Sequence, residues 1–517
     1  MDPVLKTGQS VAARRAAAMK KGTLAQSVSA RNNVERANTS AAAPIVRGDV
    51  PAIRFLGHAG LLIEYRGASL LCDPWMSESG AFLHSQHQYP PNDAIDRNAL
   101  RSADFLYLSH RRFDHFDREF LATLPKERIT VIIADYITDA FANEIADLGF
   151  ARIVKLADWK NYALADRFDI RLVRNPSLCE LDSIALIRAG DTTILNANDC
   201  HLAKSEFAKL REQEIGILFA QPSVAMEYLA AHADGEIEQL AIAARTRKES
   251  IDAFVDMANG VDAKQVICCA GLPCFLEDDR FHLNFGDNRI ALDEKDVLAE
   301  IAGKIGGRLH LVLPGDEIDT TGGVAVQRAR EFDLANKKEF LREYQARRAA
   351  SIHAHLASLP PLPVGGVWQF RDFVREIFAS SSHVRGKIGA LVKFTVTGTN
   401  GGVVYVDTRQ GAFKTSLVTT ARPSHEFEID SRVARLLVER EATWEDVFLS
   451  MRFHARHDLG SHNWPLFAIL RYGHDVKRIC HVERVLKNGE RDTVAAAARQ
   501  SRTTSLRDAA LTPARSL

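Results

Sequence analysis

From Ala52 onward the chain is written in short apolar runs, each closed by Gly, Asp, Asn or Pro. Ile53-Arg54-Phe55-Leu56 and Leu61-Leu62-Ile63-Glu64-Tyr65 flank Gly57-His58-Ala59-Gly60, which predicts two strands around a turn. Ser69 to Cys72 reads as a further strand, stopped by Asp73-Pro74-Trp75. Leu106-Tyr107-Leu108 ends abruptly in Ser109-His110-Arg111-Arg112-Phe113-Asp114-His115. Asp117 is then placed to cap a helix, Ile129 to Ile133 to form a strand, and Asp139 to Leu148 to form a helix. A hairpin is predicted from Asp182 to Ile187 and Thr193 to Asn198, turning at Ala189-Gly190. Gly216 to Ala220 and the run from Val266 add strands, with a helical stretch through Asp252 to Ala258 between them. Covered strands alternating with helices predict an α/β layered domain over residues 49–325.

The pattern changes after that. A long helix is predicted from Glu331 to Leu356, and Pro360-Pro361-Leu362-Pro363 then breaks the chain. Residues 326–365 therefore read as helix and linker. A second, α+β domain is expected over 366–490. It begins with an alternating hairpin, Ala390 to Thr397 and Val403 to Asp407, around Gly398-Thr399-Asn400-Gly401-Gly402. Strands at Ser416 to Thr420 and Glu426 to Ile429 and helices from Ser431 and Thr443 follow, the last with a capping start. Residues 1–48 and 491–517 lack a sustained period and are expected to be disordered tails, the first of them basic.

Composition narrows the function classes. The 517 residues balance 66 Lys and Arg against 66 Asp and Glu, so net charge gives no case for nucleic acid or an anionic membrane. No apolar run approaches the ~20 residues of a membrane span. The seven Cys are scattered and odd in number, which favours free thiols in a reducing compartment such as the cytoplasm over a disulfide framework. Cys-x-His with a matching Cys-x-x-His does not occur, so these residues do not encode a Rieske cluster.

The chemistry-bearing residues fall at predicted strand ends. They are His58, Asp73, the His110 to His115 cluster, and Asn198-Asp199-Cys200-His201. His and Asp are good ligands for zinc or iron. Each also has a plainer reading. His58 could be a turn histidine, Asp73 could cap backbone N–H groups before Pro74, and His201 could be surface or a support to a ligand.

Together the motifs resemble the metallo-β-lactamase superfamily. Gly57-His58-Ala59, Asp73-Pro74-Trp75 and His110-x-Arg112-x-Asp114-His115 are similar to its N-terminal half, with His-x-His-x-Asp-His changed at one ligand. Leu195-Asn196-Ala197-Asn198-Asp199 resembles the branch related to the CMP-N-acetylneuraminate hydroxylase. The runs Ala270-Gly271-Leu272-Pro273-Cys274-Phe275-Leu276, Phe281-His282-Leu283-Asn284 and Leu311 to Asp316 resemble bacterial relatives often seen with a Rieske domain. The resemblance implies an αββα sandwich. In the second domain, "Phe-Glu-Ile-Asp" at Phe427 and "Trp-Glu-Asp" at Trp444 resemble sterol carrier protein type 2 domains.

Carried over residue by residue, the resemblance implies metal ligands at His110, Asp114, His115, Asp199 and the late His282, which could otherwise be a loop histidine. One of the superfamily's two metal positions is altered. Arg112 replaces a ligand there, and a guanidinium offers donors only. One ion per chain is therefore expected, with Fe(II) favoured and zinc also accommodated. His58, Asp73 and Arg112 are the expected catalytic residues, Arg112 as the anchor for an anionic small molecule. Three functions fit: an oxygenase using a separate electron-transfer protein, a mononuclear hydrolase of an ester, lactone or phosphoester, and a binding protein with a degenerate site. The second domain could cover the site or form a homodimer surface.

Overall fold

Strands buried on both faces must be covered on both faces, and the apolar runs meet that demand by stacking two sheets between helices. The computed structural model describes residues 49–488 apart from 176–181, 201, 223–235, 272, 286–293, 322, 411–412 and 458–462. Both expected tails, His201 and Ser223 therefore lie outside the described residues. The first sheet runs, edge to edge, Ala325–Gln327, Glu317–Asp319, Ala52–Gly57, Gly60–Tyr65, Ala68–Cys72, Phe105–Tyr107, Thr130–Ala134 and Arg152–Leu156. The second runs Leu309–His310, Gln265–Cys268, Ile217–Ala220, Thr192–Asn198, Ser183–Ala189, Phe168–Arg174 and Tyr162–Ala165.

One core lies between the sheets and extends to the helix Ala140–Asp147 through Phe141 and Ile145. Another lies under the second sheet, where the helices Lys204–Arg211, Glu236–Gly260 and Glu294–Ile305 pack. The order of layers is helix, sheet, sheet, helix, as the resemblance implied. Local expectations hold around the site, whereas the helix expected from Glu331 begins at Lys337 and the strand expected at Ser416 to Thr420 runs Lys414–Ser416. The turn at residues 57–60 joins antiparallel strands in register Ile53 to Ile63, and Asp117 caps Arg118–Leu121 by accepting from the Phe120 N–H at 3.0 Å.

The pairings that position the site are parallel. Ala68–Cys72, Phe105–Tyr107 and Thr130–Ala134 run the same way in the first sheet, as do Thr192–Asn198, Ile217–Ala220 and Gln265–Cys268 in the second. Their carboxyl ends meet at one rim of the sandwich, the usual place for a site in α/β sheets.

The helix Lys337–Ser358 lies against the first domain, its Leu341 and Ile352 packing with Tyr89, Cys274 and Phe281. A five-stranded sheet follows, in order Lys414–Ser416, Gly402–Asp407, Leu391–Thr397, His425–Asp430 and Phe453–His457. It has its own core, centred on Phe370, Phe394, Phe427 and Trp444. Thr443 and Asp446 form the expected capping box. The six Cys among the described residues are free thiols. No helix among the described residues is long and apolar enough to cross a membrane.

Candidate metal centre

Three of the site's chain segments reach the rim through residues with left-handed backbone. His58 has φ 49°, Asp73 φ 38° and Asn198 φ 42°. Such conformations are costly for L residues and persist where surrounding contacts hold them. The Ala270 N–H donates to the His58 carbonyl at 2.7 Å, and Asn198 accepts from the backbone N–H groups of Asp199 and Cys200.

Asp73 is fully buried and builds the floor. It accepts from the Ser109 N–H at 2.8 Å and the Ser109 hydroxyl at 2.7 Å, and its Oδ2 lies 3.0 Å from His115 Nδ1. Burial pushes its carboxyl up to about 7 against the opposing pull of His110 and the Ser109 bonds. Enclosed on every side, Asp73 is not placed to meet a substrate. Asp73 faces Ser109 and His115.

His115 is also fully buried. Desolvation, with His110 next, holds its imidazole well below the usual range. With Nδ1 facing Asp73, its Nε2 looks the other way, 3.9 Å from Asp114 Oδ2 and 3.7 Å from Asp199 Oδ2. That Nε2 is buried and has no hydrogen-bond partner, and neither has Asp114 Oδ1. His58 closes the group, with Nε2 at 3.2 Å from Asp114 Oδ2 and Nδ1 at 3.0 Å from the Gly271 carbonyl. Burial would raise the Asp114 carboxyl, but His115, His58 and Arg112 outweigh it and hold it well below the usual carboxylate range.

Two overlapping sets result. His58, Asp114 and His115 offer donor atoms within 4.8 Å of one another, and so do His110, His115 and Asp199. The second set already holds a cation. Arg112 forms an ion pair with Asp199 and lies 2.9 Å from His110 Nε2, while His110 Nε2 faces Asp199 Oδ1 at 3.0 Å. The Arg112 backbone N–H donates to His110 Nδ1 at 3.3 Å, while His110 Nε2 lies between a donor, the Arg112 guanidinium, and an acceptor, Asp199 Oδ1. Burial, with the Arg112 charge next, keeps His110 below its ordinary value.

The structure thus brings together His58, Asp73, His110, Arg112, Asp114, His115 and Asp199. It does not bring His282 to them. His282 sits on the 3₁₀ turn Phe281–Asn284, where Phe281 and Asn284, three apart and on one side, are buried. His282 is left exposed, and His58 is the histidine that lies beside Asp114 and His115. Ser109 is the residue that sequence reasoning passed over, although its place directly before His110 marks it. Tyr136 and Ser183 support it, the Tyr136 hydroxyl donating to the Ser109 carbonyl and to Ser183 Oγ.

Comparison with known proteins finds matches over the first domain and beyond it. Residues 52–183 match the β-lactamase superfamily domain. A Mycobacterium tuberculosis protein named as a Rieske 2Fe-2S iron-sulfur protein is 26% identical over 442 residues, covering 80% of this chain and 83% of that one. The cytidine monophosphate-N-acetylneuraminic acid hydroxylase of Danio rerio is 26% identical over 156 residues, 29% of this chain and 25% of that protein. The solved structure of CmlA, a diiron β-hydroxylase from Streptomyces venezuelae, superposes with TM-score 0.37 and 16% identity, over 52% of this chain and 54% of that one. By the match at residues 52–183, the two stacked sheets and the His and Asp residues gathered at their rim, the first domain is similar to the metallo-β-lactamase fold.

Proposed function

We propose that the protein is a metal-dependent oxygenase that holds one ion on His58, Asp114 and His115 and acts on an anionic small molecule, with electrons from a separate protein. One observation carries this reading. His115 Nε2 is buried without a hydrogen-bond partner and faces two carboxylates. An imidazole nitrogen left so costs free energy unless something binds it. Two imidazoles and one carboxylate are the donor set that suits non-haem Fe(II) with open positions, and zinc accepts it too.

Fe(II) bound there supplies the redox chemistry that O₂ activation requires. The chain's own residues supply the rest. Asp73 and Ser109 hold His115 with Nε2 presented to the site. Gly271 fixes the His58 ring through Nδ1, leaving Nε2 for the ion. Arg112 stands where a second ion would and pairs with Asp199. Its side chain keeps 16% of its surface exposed, enough to draw an anionic group toward the centre. The relatives named for hydroxylation and for a Rieske centre support redox chemistry with a partner that delivers electrons.

The test is metal content and O₂ uptake of the purified full chain. The expected result is about one ion per chain, O₂ consumption with Fe(II) and an external reductant, and a second ion gained by Arg112→His. Two ions in the native protein would defeat the role given to Arg112. Turnover of a lactone, ester or phosphodiester by the zinc-loaded protein without O₂ uptake would replace the oxygenase by a hydrolase. Absence of any bound ion would leave the binding-protein reading.

A further inference from the structure

The residue between Arg112 and Asp114 is Phe113, an aromatic side chain on the one turn that carries the site's cation and one of its ligands. That turn is tight: the N–H groups of His115 and Phe116 both donate to the Arg112 carbonyl, at 3.0 and 2.7 Å. The Phe113 ring meets Phe82 edge to face, at 6.2 Å and 71°. Phe82 belongs to a small buried cluster with Trp75, Ala81 and Leu449. Trp75 in turn packs edge-on against the His58 ring at 5.3 Å. Leu449 comes from the C-terminal domain, at the end of the helix Trp444–Leu449.

Phe82 is held by its own turn, where the Ser85 N–H donates to the Phe82 carbonyl at 3.2 Å, and by contacts from outside its segment. Phe82, Leu83 and His84 have φ of 48°, 57° and 60°, three successive left-handed residues. L residues adopt such runs only where the surroundings impose them. The surroundings here are residues 449–452. Ser85 Oγ donates to the Ser450 carbonyl and Gln86 Nε2 to the Leu449 carbonyl, each at 2.6 Å. Arg452 donates to the Leu83 carbonyl at 3.1 Å and makes a two-bond pair with Glu277, both at 2.8 Å, with each partner nearly fully buried. Arg280 adds a bond to the Met451 carbonyl at 3.0 Å. A buried bidentate pair of this kind fixes orientation closely.

We propose that the C-terminal domain is part of the metal centre. Through Leu449 and Arg452 it fixes Phe82 against Phe113 and Trp75 against His58, and so sets the positions of Asp114, Arg112 and His58. Phe82, Phe113 and Leu449 are positioning residues. The proposal rests on the reading of His58, Asp114 and His115 as ligands.

The experiment titrates Co(II) into the metal-free full chain and reads affinity and the visible d–d spectrum. Phe82→Ala and Leu449→Ala are expected to weaken Co(II) binding by about 10-fold or more, the scale of a lost support to a ligand, and to shift the spectrum. Phe82→Leu restores most of both. Val404→Ala, in the core of the same domain away from the joint, lowers the melting temperature but leaves affinity and spectrum as in the native chain. Native affinity and spectrum in Phe82→Ala overturn the proposal. So does an equal loss in Val404→Ala. Should the native chain bind no Co(II), Zn(II) or Fe(II), the ligand reading fails, and the brace is judged on the metal-free protein. There the imidazole nitrogen resonances of His58 and His115 must move in Phe82→Ala and stay in Val404→Ala; unmoved resonances overturn it.

Discussion

The two halves of the rim share one histidine and one stretch of chain, yet they have reached opposite electrostatic states. On one side Arg112 is paired to Asp199 and pressed against His110, so every charge has its counter-charge in place. On the other side His115 Nε2 and Asp114 Oδ1 are buried and unsatisfied. A buried polar atom without a partner is unusual and calls for an explanation. On the proposed reading, the difference teaches that an arginine within a ligand pattern need not destroy a site. It can close one compartment with a built-in cation and leave its neighbour open.

The sharpest way to break this comparison is to remove the shared residue. His115→Ala should abolish metal binding as read by metal content, because the open half loses its central donor. Retained stoichiometry would mean that the ion sits elsewhere. Asp73→Asn should be the next most costly. The amide presents a donor where His115 needs an acceptor, and the ring loses its fixed tautomer. Metal affinity should fall roughly 10- to 100-fold with the ligands themselves intact. Arg112→Ala tests the closed half. It strands Asp199 beside His110, and we expect about 2–3 kcal/mol lost in chemical denaturation, less than for a fully buried pair because Arg112 retains some solvent. Metal content on the open half should be maintained.

How much of this was legible in the sequence differs between the halves. The strand ends were readable because apolar runs stop at Gly57, Asp73 and Ser109, and strand ends of a covered sheet gather at its rim. The cation at Arg112 was readable because a guanidinium cannot be a ligand. That Arg112 would be tied to Asp199, 87 positions away, was not. The pair is made by two sheets meeting, which no local pattern records. The place of His58 beside Asp114 and His115 was hidden for the same reason. Its position depends on the turn at Gly57, the Ala270 N–H bond and Trp75 behind it. The joint at Leu449 was hidden more deeply, since three left-handed residues at Phe82 to His84 carry no glycine to announce them.

Acid stability offers a gentler contrast with the site, because it tests a histidine that no carboxylate rescues. His87 lies in the short strand Gln86–His87 paired to Cys274–Phe275, and its Nε2 has no hydrogen-bond partner among the described residues. Burial, with the Arg348 charge next, lowers it from an ordinary 6.5 to about 3. Between those values the unfolded chain binds a proton that the folded chain refuses. Stability is therefore intact above pH 6.5 and falls as the pH drops through that window, by up to about 1.4 kcal/mol per unit. Urea midpoints of the native protein and His87→Phe, compared at pH 7 and pH 5, should converge in their difference only at the higher pH. An equal acid loss in both would move the cause to another group.

The smallest expected effect is the most discriminating for the ligand set. His282 falls in a motif that resembles the superfamily's late ligand position, and on sequence grounds His282→Ala ought to rival His115→Ala. The geometry says otherwise. The 3₁₀ turn is anchored through Asn284, whose side chain donates to the carbonyls of Phe275 and Phe281 and accepts from the Phe275 N–H. Those bonds keep Phe281 and Asn284 inward, and eclipsed i, i+3 positions leave His282 on the outer side. With those bonds in place His282 stays on the exposed side of its turn. His282→Ala should accordingly change metal affinity by less than about two-fold, within the range of an exposed substitution remote from any special feature, whereas His58→Ala should cost far more. If the order is reversed, the open half is completed by the late histidine in solution, and His58 returns to the role of a turn residue.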